Sequence, residues 1–251
     1  MAAPHILIAT PAYGANVKIQ YMESILRTVQ AFQRRGLRYD FRGTVNAEVV
    51  TARNFLASVM YERPQYTHLL FVDADMAFAP ASVEKLLDAG KPLIGCIYPK
   101  KRLSASTFAR AARAHADDST ALASAFDFVV RHPAGTKRVQ VTNGICRVLG
   151  LGMGLTLIER RVFVDLLATG KIATNAKHDL GPDGLDGPLY GFFDPLQSEG
   201  SQYVSEDFSF CERWVRLCGG EVLALPAEEI SHIGDFTYRA SYLDRLKAGQ
   251  Q

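Results

Sequence analysis

Two aspartates one residue apart, Asp73 and Asp75, follow the apolar run Leu69–Val72. A short run of this kind is typical of a strand buried on both faces in a parallel sheet. Side chains at i and i+2 leave an extended backbone in the same direction, so both carboxylates can face one cation. Ligands bind at the carboxyl ends of such strands, and a hard divalent cation uses carboxylate and phosphate oxygens. The spacing therefore predicts a metal site, with two solvated acids in a turn as the alternative.

A second candidate site, Thr10-Pro11-Ala12-Tyr13-Gly14, follows the first predicted strand at the same edge of the sheet. Tyr13 offers a flat ring on which a nucleobase could stack, and we predict that Thr10 and Pro11 contact the nucleotide beside it. An ordinary turn between a strand and a helix is the alternative. Asp40, in the second predicted strand, could accept a hydrogen bond from a base or could be a solvated acid at the strand edge.

Basic residues near this edge suggest contacts with phosphate. Arg53 lies in the second predicted helix, where a guanidinium could orient the paired carboxylates or bind a diphosphate. A lone arginine in a helix is also often a surface charge. Lys100-Lys101-Arg102 follows the fourth predicted strand and could neutralise phosphate, although most clusters of this kind are solvated.

Three candidates come from the second half of the chain. Asp207, in Ser205-Glu206-Asp207, could act as a general base at a helix N-terminus, and Glu206 could simply complement the helix dipole. His232 is a possible third metal ligand, because an imidazole and two carboxylates suit Mn²⁺, or else a structural histidine. The glycines of Gly150–Gly154 permit either close approach of a ligand or tight packing at a bend.

Alternating strand and helix patterns over the first hundred residues predict parallel βαβ units that hold these candidates. Predicted strands are His5–Thr10, Leu37–Thr44, the strand before Asp73, and Pro92–Tyr98; predicted helices are Val17–Arg35, Glu48–Tyr61 and one opening at Pro80.

The second half is less regular. Ser104–Arg131 is predicted to be helical and Asn175–Gln202 to be a long loop, whose aromatic residues could stack on a sugar or anchor the loop. Further predictions are a strand at Arg138–Thr142, the glycine-punctuated apolar segment Gly144–Ile158, helices at Arg160–Ala168 and from Ser205 to about Cys218, and a strand at Glu221–Leu225.

Composition narrows the class of protein. The chain has 251 residues, 48% of them hydrophobic, and a net charge of +2, which argues for one α/β domain and against nucleic acid as the main partner. Its four cysteines have no zinc-ligand spacing. The longest apolar stretch, Ile145–Ile158, contains Arg147 and is too short to be a transmembrane segment, and the start lacks a signal sequence. We therefore expect a cytoplasmic protein.

Taken in order, the motifs resemble those of GT-A-fold nucleotide-sugar glycosyltransferases. The resemblance runs from about residue 5 to 238. It rests on Asp73-Ala74-Asp75 as an Asp-x-Asp motif, Gly150–Gly154 as a glycine-rich loop, Ser205-Glu206-Asp207 as an x-Glu-Asp motif, and His232 as the carboxyl-terminal histidine. The implied fold is α/β, with a Rossmann-like, mostly parallel central sheet flanked by helices in a single domain over 1–251. Residues from about 1 to 103 would form the nucleotide-binding half, and about 104 to 240 a less regular acceptor and catalytic half.

The resemblance also implies roles. Asp73, Asp75 and His232 would hold Mn²⁺ or Mg²⁺ against a nucleoside-diphosphate sugar, with Ala74 beside the donor. Asp207 would deprotonate the acceptor hydroxyl of a glycan, protein or small molecule, and Gly152 and Glu206 would contact that acceptor. The resemblance would make the protein a hexosyltransferase, inverting if Asp207 is the base. A retaining enzyme and a non-catalytic nucleotide-sugar or carbohydrate-binding scaffold are the alternatives.

Some family features are missing. Strand two lacks the Asp-Asp-Gly-Ser pattern of the largest inverting branch, so Asp40 has weaker support and the donor is open between UDP- and GDP-sugars. A nucleotidyltransferase would need a glycine-rich basic loop after strand one. A haloacid dehalogenase phosphatase would need threonine at the position of Ala77.

Overall fold

The structure is a computed structural model that describes residues 3–45, 48–114, 117–178, 185–197, 203–234 and 237–248. The α-helices in these ranges are α1 (Ile19–Arg34), α2 (Val49–Glu62), α3 (Pro80–Asp88), α4 (Ala105–Ala114), α5 (Asp118–Ala125), α6 (Arg160–Ala168), α7 (Glu206–Cys218) and α8 (Tyr242–Ala248), with a short 3-10 helix at Tyr13–Ala15. None of the helices in the described ranges is long and apolar enough to cross a membrane.

The strands include several two-residue pieces. In chain order they are β1 (His5–Pro11), β2 (Arg38–Thr44), β3 (His68–Val72), β4 (Met76–Ala77), β5 (Leu93–Cys96), β6 (Pro99–Leu103), β7 (Phe126–Phe128), β8 (Val130–Arg131), β9 (Val141–Thr142), β10 (Ile145–Val148), β11 (Gly150–Leu151), β12 (Leu155–Glu159), β13 (Thr174–Asn175), β14 (Leu189–Tyr190), β15 (Leu196–Gln197), β16 (Tyr203–Val204), β17 (Val222–Leu225), β18 (Glu229–Ile233) and β19 (Thr237–Ser241).

The central sheet has eight strands in the order β2-β1-β3-β12-β5-β17-β10-β9. Strands β2, β1, β3, β5, β17 and β9 run in one direction, and β12 and β10 run against them. Strand β12 lies between β3 and β5 and is antiparallel to both. The α/β class with a mostly parallel central sheet is therefore confirmed, and this reversed strand is an addition that the sequence pattern did not predict.

Alternating side chains along β1 supply both faces of the sheet. Ile6 and Ile8 pack in the core that includes Tyr21 and Phe32 of α1. Residues of α2, α6 and α7 belong to the core on the other face, together with Leu7. Helices therefore flank both faces, which is why the central residues of β1 and β3, Ile6–Ala9 and Leu69–Val72, are all apolar.

The segment Ser104–Arg131 departs from the predicted helix. It forms α4 and α5, followed by the short strands β7 and β8. The Asp117 carboxylate accepts a hydrogen bond from Thr120 N and caps the start of α5. This aspartate is a stronger local signal than the alanine-rich composition on which the single-helix prediction rested.

A small sheet, β19-β18-β4, sits at the carboxyl edge of β3. His232 in β18 is paired with Met76 in β4, and Ile233 N donates a hydrogen bond to Asp75 O at 2.8 Å. These backbone bonds place His232 level with the residue that follows the second aspartate.

Candidate functional site

A groove of about 560 Å³ lies where the carboxyl ends of β1 and β3 meet. The backbone anchors one wall, because Lys18 N at the start of α1 donates a hydrogen bond to Ala74 O at 2.9 Å. Its lining contains six of the predicted site residues, Pro11, Tyr13, Asp73, Ala74, Asp75 and His232, and four other residues, Asn16, Val17, Lys18 and Val49. Tyr13 is 80% exposed, so its ring face is available to a ligand.

Asp75 and His232 face each other across the rim of this groove. His232 Nδ1 donates a hydrogen bond to Pro99 O at 2.9 Å, and His232 Nε2 lies 3.6 Å from Asp75 Oδ2. In the neutral imidazole, this places the proton on Nδ1 and turns the Nε2 lone pair toward a carboxylate oxygen. Two acceptor atoms at this separation need a cation or a proton between them, and a carbonyl on the far nitrogen is the usual support of a metal-binding histidine.

Lys101 contacts the same carboxylate oxygen. Its ammonium donates a hydrogen bond to Asp75 Oδ2. Burial acts to raise the pKa of Asp75, but His232, when a proton lies on its Nε2, and the ammonium of Lys101 outweigh it and lower that pKa to about 2. Asp75 is therefore ionised across the physiological range and is a ready ligand for a cation.

Behind the groove, Arg53 joins Asp73 to the start of α7. Its Nη2 lies 3.0 Å from Asp73 Oδ1, and its Nε lies 3.4 Å from Glu206 Oε1. Arg53 is only 3% exposed, so the alternative of a surface charge is wrong. Its Nη1 is buried without a hydrogen-bond partner among the described residues, and orphaned buried donors of this kind mark sites where function outweighs stability.

The ion pairs of Arg53 shape the charges around it. Burial acts to lower the pKa of Arg53, but the negative charges of Asp73 and Glu206 outweigh burial and raise this pKa. The guanidinium is therefore permanently charged. Burial raises the pKa of Asp73 and of Glu206, and Arg53 opposes both shifts. Glu206 is thus committed to Arg53.

Asp207 lies in the first turn of α7 and is 9% exposed. Its Oδ1 accepts hydrogen bonds from Ser205 Oγ at 2.6 Å and from Phe208 N at 2.8 Å. Its Oδ2 accepts none from the described residues. One oxygen therefore fixes the carboxylate, and the other can take a proton.

Tyr98 is a buried residue that belongs to none of the sequence motifs. Its Oη accepts a hydrogen bond from Gly154 N at 3.1 Å, and its ring packs edge-on against His232 at 5.4 Å between centroids. A Cβ on Gly152 would lie 2.2 Å from Tyr98 Oη, and one on Gly154 would lie 2.2 Å from Met76 Cε. Gly152 and Gly154 therefore leave the space that Tyr98 and Met76 occupy beneath the site, and the acceptor contact of Gly152 stays a prediction.

Two predicted nucleotide contacts lie outside the groove lining. Thr10 is 1% exposed and its hydroxyl is hydrogen-bonded to Tyr21 Oη at 2.5 Å, so it supports α1. Asp40 pairs with His5 Nε2 at 2.9 Å and is aligned with Leu7 in β1, three residues before Thr10. At about 3.3 Å per residue, that register keeps Asp40 away from the carboxyl edge, so its prediction as a base-reading acid is corrected.

The loop aromatics are anchors. Phe192 and Phe193 are fully buried, and Phe193 stacks on Phe210 at 4.5 Å. Asn54 in α2 accepts a hydrogen bond from Phe193 N and donates one to Asp194, both at 2.7 Å. Of the two predicted roles, packing is the one observed for this pair; residues 179–184 and 198–202 of the loop lie outside the described ranges.

The residues present fit a divalent cation. Asp75 Oδ2 and His232 Nε2 offer one hard oxygen and one nitrogen ligand, and Asp73 is part of the same groove lining. Among the described residues, no group of three or more His, Cys, Asp or Glu side chains is arranged as a ready metal cage. Two protein ligands leave positions for water and phosphate oxygens, as Mg²⁺ and Mn²⁺ sites that bind diphosphates require.

A larger cavity, of about 700 Å³, lies at the other end of the sheet near β9 and β10. Its lining includes Lys91, Arg138 and Arg147 but none of the predicted site residues. Size alone therefore does not identify the functional site of this protein.

Comparison with known proteins gives weak structural likenesses. A197 from STIV is 15% identical, with a TM-score of 0.49 over 92% of this chain and 86% of A197. The structure of GalNAc-T7 with UDP, GalNAc and Mn²⁺ is 12% identical, with a TM-score of 0.42 over 99% of this chain and 48% of the other, so this chain spans about half of that protein. A glycosyltransferase involved in the glycosylation of the major capsid of PBCV-1 is 9% identical, with a TM-score of 0.32 over 67% and 68% of the two chains.

No protein-family model and no curated protein sequence gives a significant match to the chain. Because the TM-scores of these three structures lie below 0.5, we base the functional proposal on the geometry of the site.

Proposed function

We propose that this protein is a metal-dependent glycosyltransferase that moves a sugar from a UDP- or GDP-sugar to an acceptor hydroxyl. The observation that carries the proposal is the Asp75–His232 pair, with Nε2 and Oδ2 3.6 Å apart at the rim of a groove. The Pro99 carbonyl orients the histidine for this contact. The groove is large enough for a nucleotide, and the ring of Tyr13 is exposed on its wall.

The positions of these side chains support one mode of donor binding. The nucleobase would stack on Tyr13, and the diphosphate would lie toward Asp75 and His232, which would hold Mn²⁺ or Mg²⁺ together with Asp73, directly or through water. A divalent cation bound there neutralises charge on the departing nucleoside diphosphate. Arg53 fixes the Asp73 carboxylate from behind and therefore acts as a positioning residue.

Asp207 is the proposed general base. Its fixed Oδ1 orients the carboxylate, and its Oδ2 takes the proton of the acceptor hydroxyl. The acceptor oxygen then forms a bond to the anomeric carbon of the sugar, and the bond from that carbon to the diphosphate oxygen breaks. One displacement of this kind inverts the anomeric centre. Glu206 is the poorer candidate because it is paired with Arg53.

A thermal-shift panel of UDP, GDP, CDP and ADP, each with and without Mn²⁺, tests donor binding. A ligand that binds only the folded state raises the melting temperature by mass action. We expect one of UDP and GDP to stabilise the protein, only with Mn²⁺, and Asp75→Asn to abolish the effect. Asp88→Asn is the matched control, since it removes an aspartate from the exposed Arg35–Asp88 pair. Equal stabilisation of the wild type and Asp75→Asn would refute the proposed site.

Turnover separates an enzyme from a scaffold. With the nucleotide sugar identified by the panel, we expect slow hydrolysis or transfer that Asp207→Asn reduces by at least about 10²-fold, with the nucleotide-induced thermal shift retained. Metal-dependent binding without any turnover would instead favour a non-catalytic nucleotide-sugar-binding protein. Retention of the anomeric configuration in the product would reject Asp207 as the base of a single displacement.

A further inference from the structure

Lys101 contacts Asp75 Oδ2, the oxygen that would be a ligand of the proposed metal. It lies in β6, two residues after Pro99, whose carbonyl accepts the hydrogen bond from His232 Nδ1. The Lys101 ammonium contacts Asp75 Oδ2, the same oxygen that faces His232 Nε2. One short strand thus supports the histidine and supplies a positive charge to the aspartate.

An ammonium and a divalent cation compete for this oxygen. A divalent cation held by Asp75 Oδ2 and His232 Nε2 would use the oxygen that Lys101 contacts, and two positive charges about 4 Å apart repel each other by roughly 1 kcal/mol per charge pair even in water. Lys101 therefore opposes metal binding at this oxygen for as long as it contacts it.

Lys101 can leave at low cost. Its side chain is 35% exposed, and lysine carries a point charge on a flexible four-carbon stem. Arg53 on Asp73 is the opposite case, buried and bonded to two carboxylates. The ion pairs of exposed lysines contribute about 1 kcal/mol or less, so a bound metal can replace this one.

We propose that Lys101 is an exchangeable internal cation. It neutralises Asp75 in the free protein, is displaced when a divalent cation binds, and then pairs with the diphosphate of the nucleotide. The inference rests on the proposed function and adds a consequence to it. Metal and nucleotide bind cooperatively, because the released ammonium finds its new partner only when the diphosphate is present.

Manganese titration followed by electron paramagnetic resonance tests this without any activity measurement. The probes are Mn²⁺ alone, then Mn²⁺ with saturating UDP or GDP, whichever stabilises the wild type more. We expect Lys101→Met to bind Mn²⁺ alone about tenfold more tightly than wild type, since it removes both the competing ion pair and the charge repulsion. We also expect the affinity gain that nucleotide gives to Mn²⁺ to fall about tenfold in this variant.

Two further variants control for charge and for strand position. Lys101→Arg keeps a cation in reach of Asp75 and should retain weak binding of Mn²⁺ alone. Lys100→Met removes the neighbouring exposed lysine of β6 and should titrate like wild type. Urea unfolding of each variant confirms that the exposed substitutions leave the fold intact.

The outcomes separate the two proposals. If Mn²⁺ and nucleotide bind the wild type but Lys101→Met changes neither the affinity for Mn²⁺ alone nor the coupling, the role of Lys101 is refuted and the transferase site stands. If Mn²⁺ alone binds Lys101→Met more tightly but neither nucleotide binds any variant, Lys101 competes for the metal as inferred, while its diphosphate role and the transferase function both fail.

Discussion

The two carboxylates of the Asp73–Asp75 turn have ion-pair partners that differ in burial. Behind the groove, Asp73 is paired with Arg53, which is 3% exposed and also bonded to Glu206. At the rim, Asp75 is paired with Lys101, which is 35% exposed. A buried guanidinium that bridges two acids is a permanent part of the structure, whereas a partly exposed ammonium can be replaced. The comparison teaches that two aspartates of one motif can have partners of different kinds, one fixed in the architecture and the other open to exchange.

The largest predicted effect comes from removing Arg53, which pairs with Asp73 and Glu206 behind the groove. Arg53→Met leaves Asp73 and Glu206 without their buried partner, which should reduce the free energy of unfolding by about 3 to 5 kcal/mol. Urea denaturation measures this loss. Arg53→Lys keeps a positive charge but lacks the forked guanidinium that reaches both acids. Its free energy of unfolding should therefore lie between those of Arg53→Met and wild type. A loss below about 0.5 kcal/mol in Arg53→Met would show that the pair is not a structural element.

A smaller effect is expected from the close packing of Tyr98 against Gly152, beneath the site. Gly152→Ala would bring a Cβ to 2.2 Å from Tyr98 Oη and 2.6 Å from Val129 Cγ1, so overpacking should cost about 1 to 3 kcal/mol. Gly43→Ala in β2 is the control, because its new Cβ has no neighbour nearer than 3.7 Å. Adding Tyr98→Phe to Gly152→Ala removes the nearest atom and should recover part of the loss. If the double variant is no more stable than Gly152→Ala, the clash with the hydroxyl is not the cause.

The smallest effect concerns the pH dependence of stability. The folded protein lowers the pKa of Asp75 to about 2 from its ordinary value of 3.8, through His232 and Lys101 acting against burial. The stabilisation from ionised Asp75 is therefore complete above the ordinary pKa and is lost as pH falls through about 2. We expect wild type to exceed Asp75→Asn by roughly 1 to 2 kcal/mol at pH 5, with the difference vanishing toward pH 2.

Glu206 should show the opposite sign. Burial and Asp207 raise its pKa, so its charged form costs stability as pH rises above the ordinary value for glutamate. Urea unfolding at several pH values should show the advantage of wild type over Glu206→Gln declining as pH rises from about 4.5. If the stability difference from wild type changed with pH in the same direction for Asp75→Asn and Glu206→Gln, the proposed difference between the rim and the rear of the site would be refuted.

Local pattern was enough to predict the strands that carry the site. The strand before Asp73, the helix Arg160–Ala168 and the helix that opens at Glu206 all lie where periodicity and capping residues predicted them. The Asp75–His232 proximity was suggested by the chemistry of metal ligands and by the family resemblance, and not by local pattern. No local signal relates residues whose side chains meet through the pairing of β18 with β4.

Register and burial were the parts that sequence reasoning could not supply. Asp40 had the right residue type on a correctly predicted strand, but its alignment with Leu7 places it too early in β2. Arg53 gave no sign of burial, because a single arginine in a helix has the same pattern whether it faces solvent or two acids. Tyr98 follows β5 and belongs to no motif. Its packing against Gly152 and Gly154 is visible only in the structure.

The pairing of β18 with β4 has a consequence for the newly made chain. Asp75 and His232 are 157 positions apart in the sequence, and the histidine reaches the aspartate only through this pairing. A ribosome that adds about 5 to 20 residues per second therefore makes Asp75 many seconds before it makes His232. During biosynthesis the Asp73–Asp75 turn is a pair of carboxylates without its imidazole, so the site proposed above can be complete only after β18 has been made and has paired with β4.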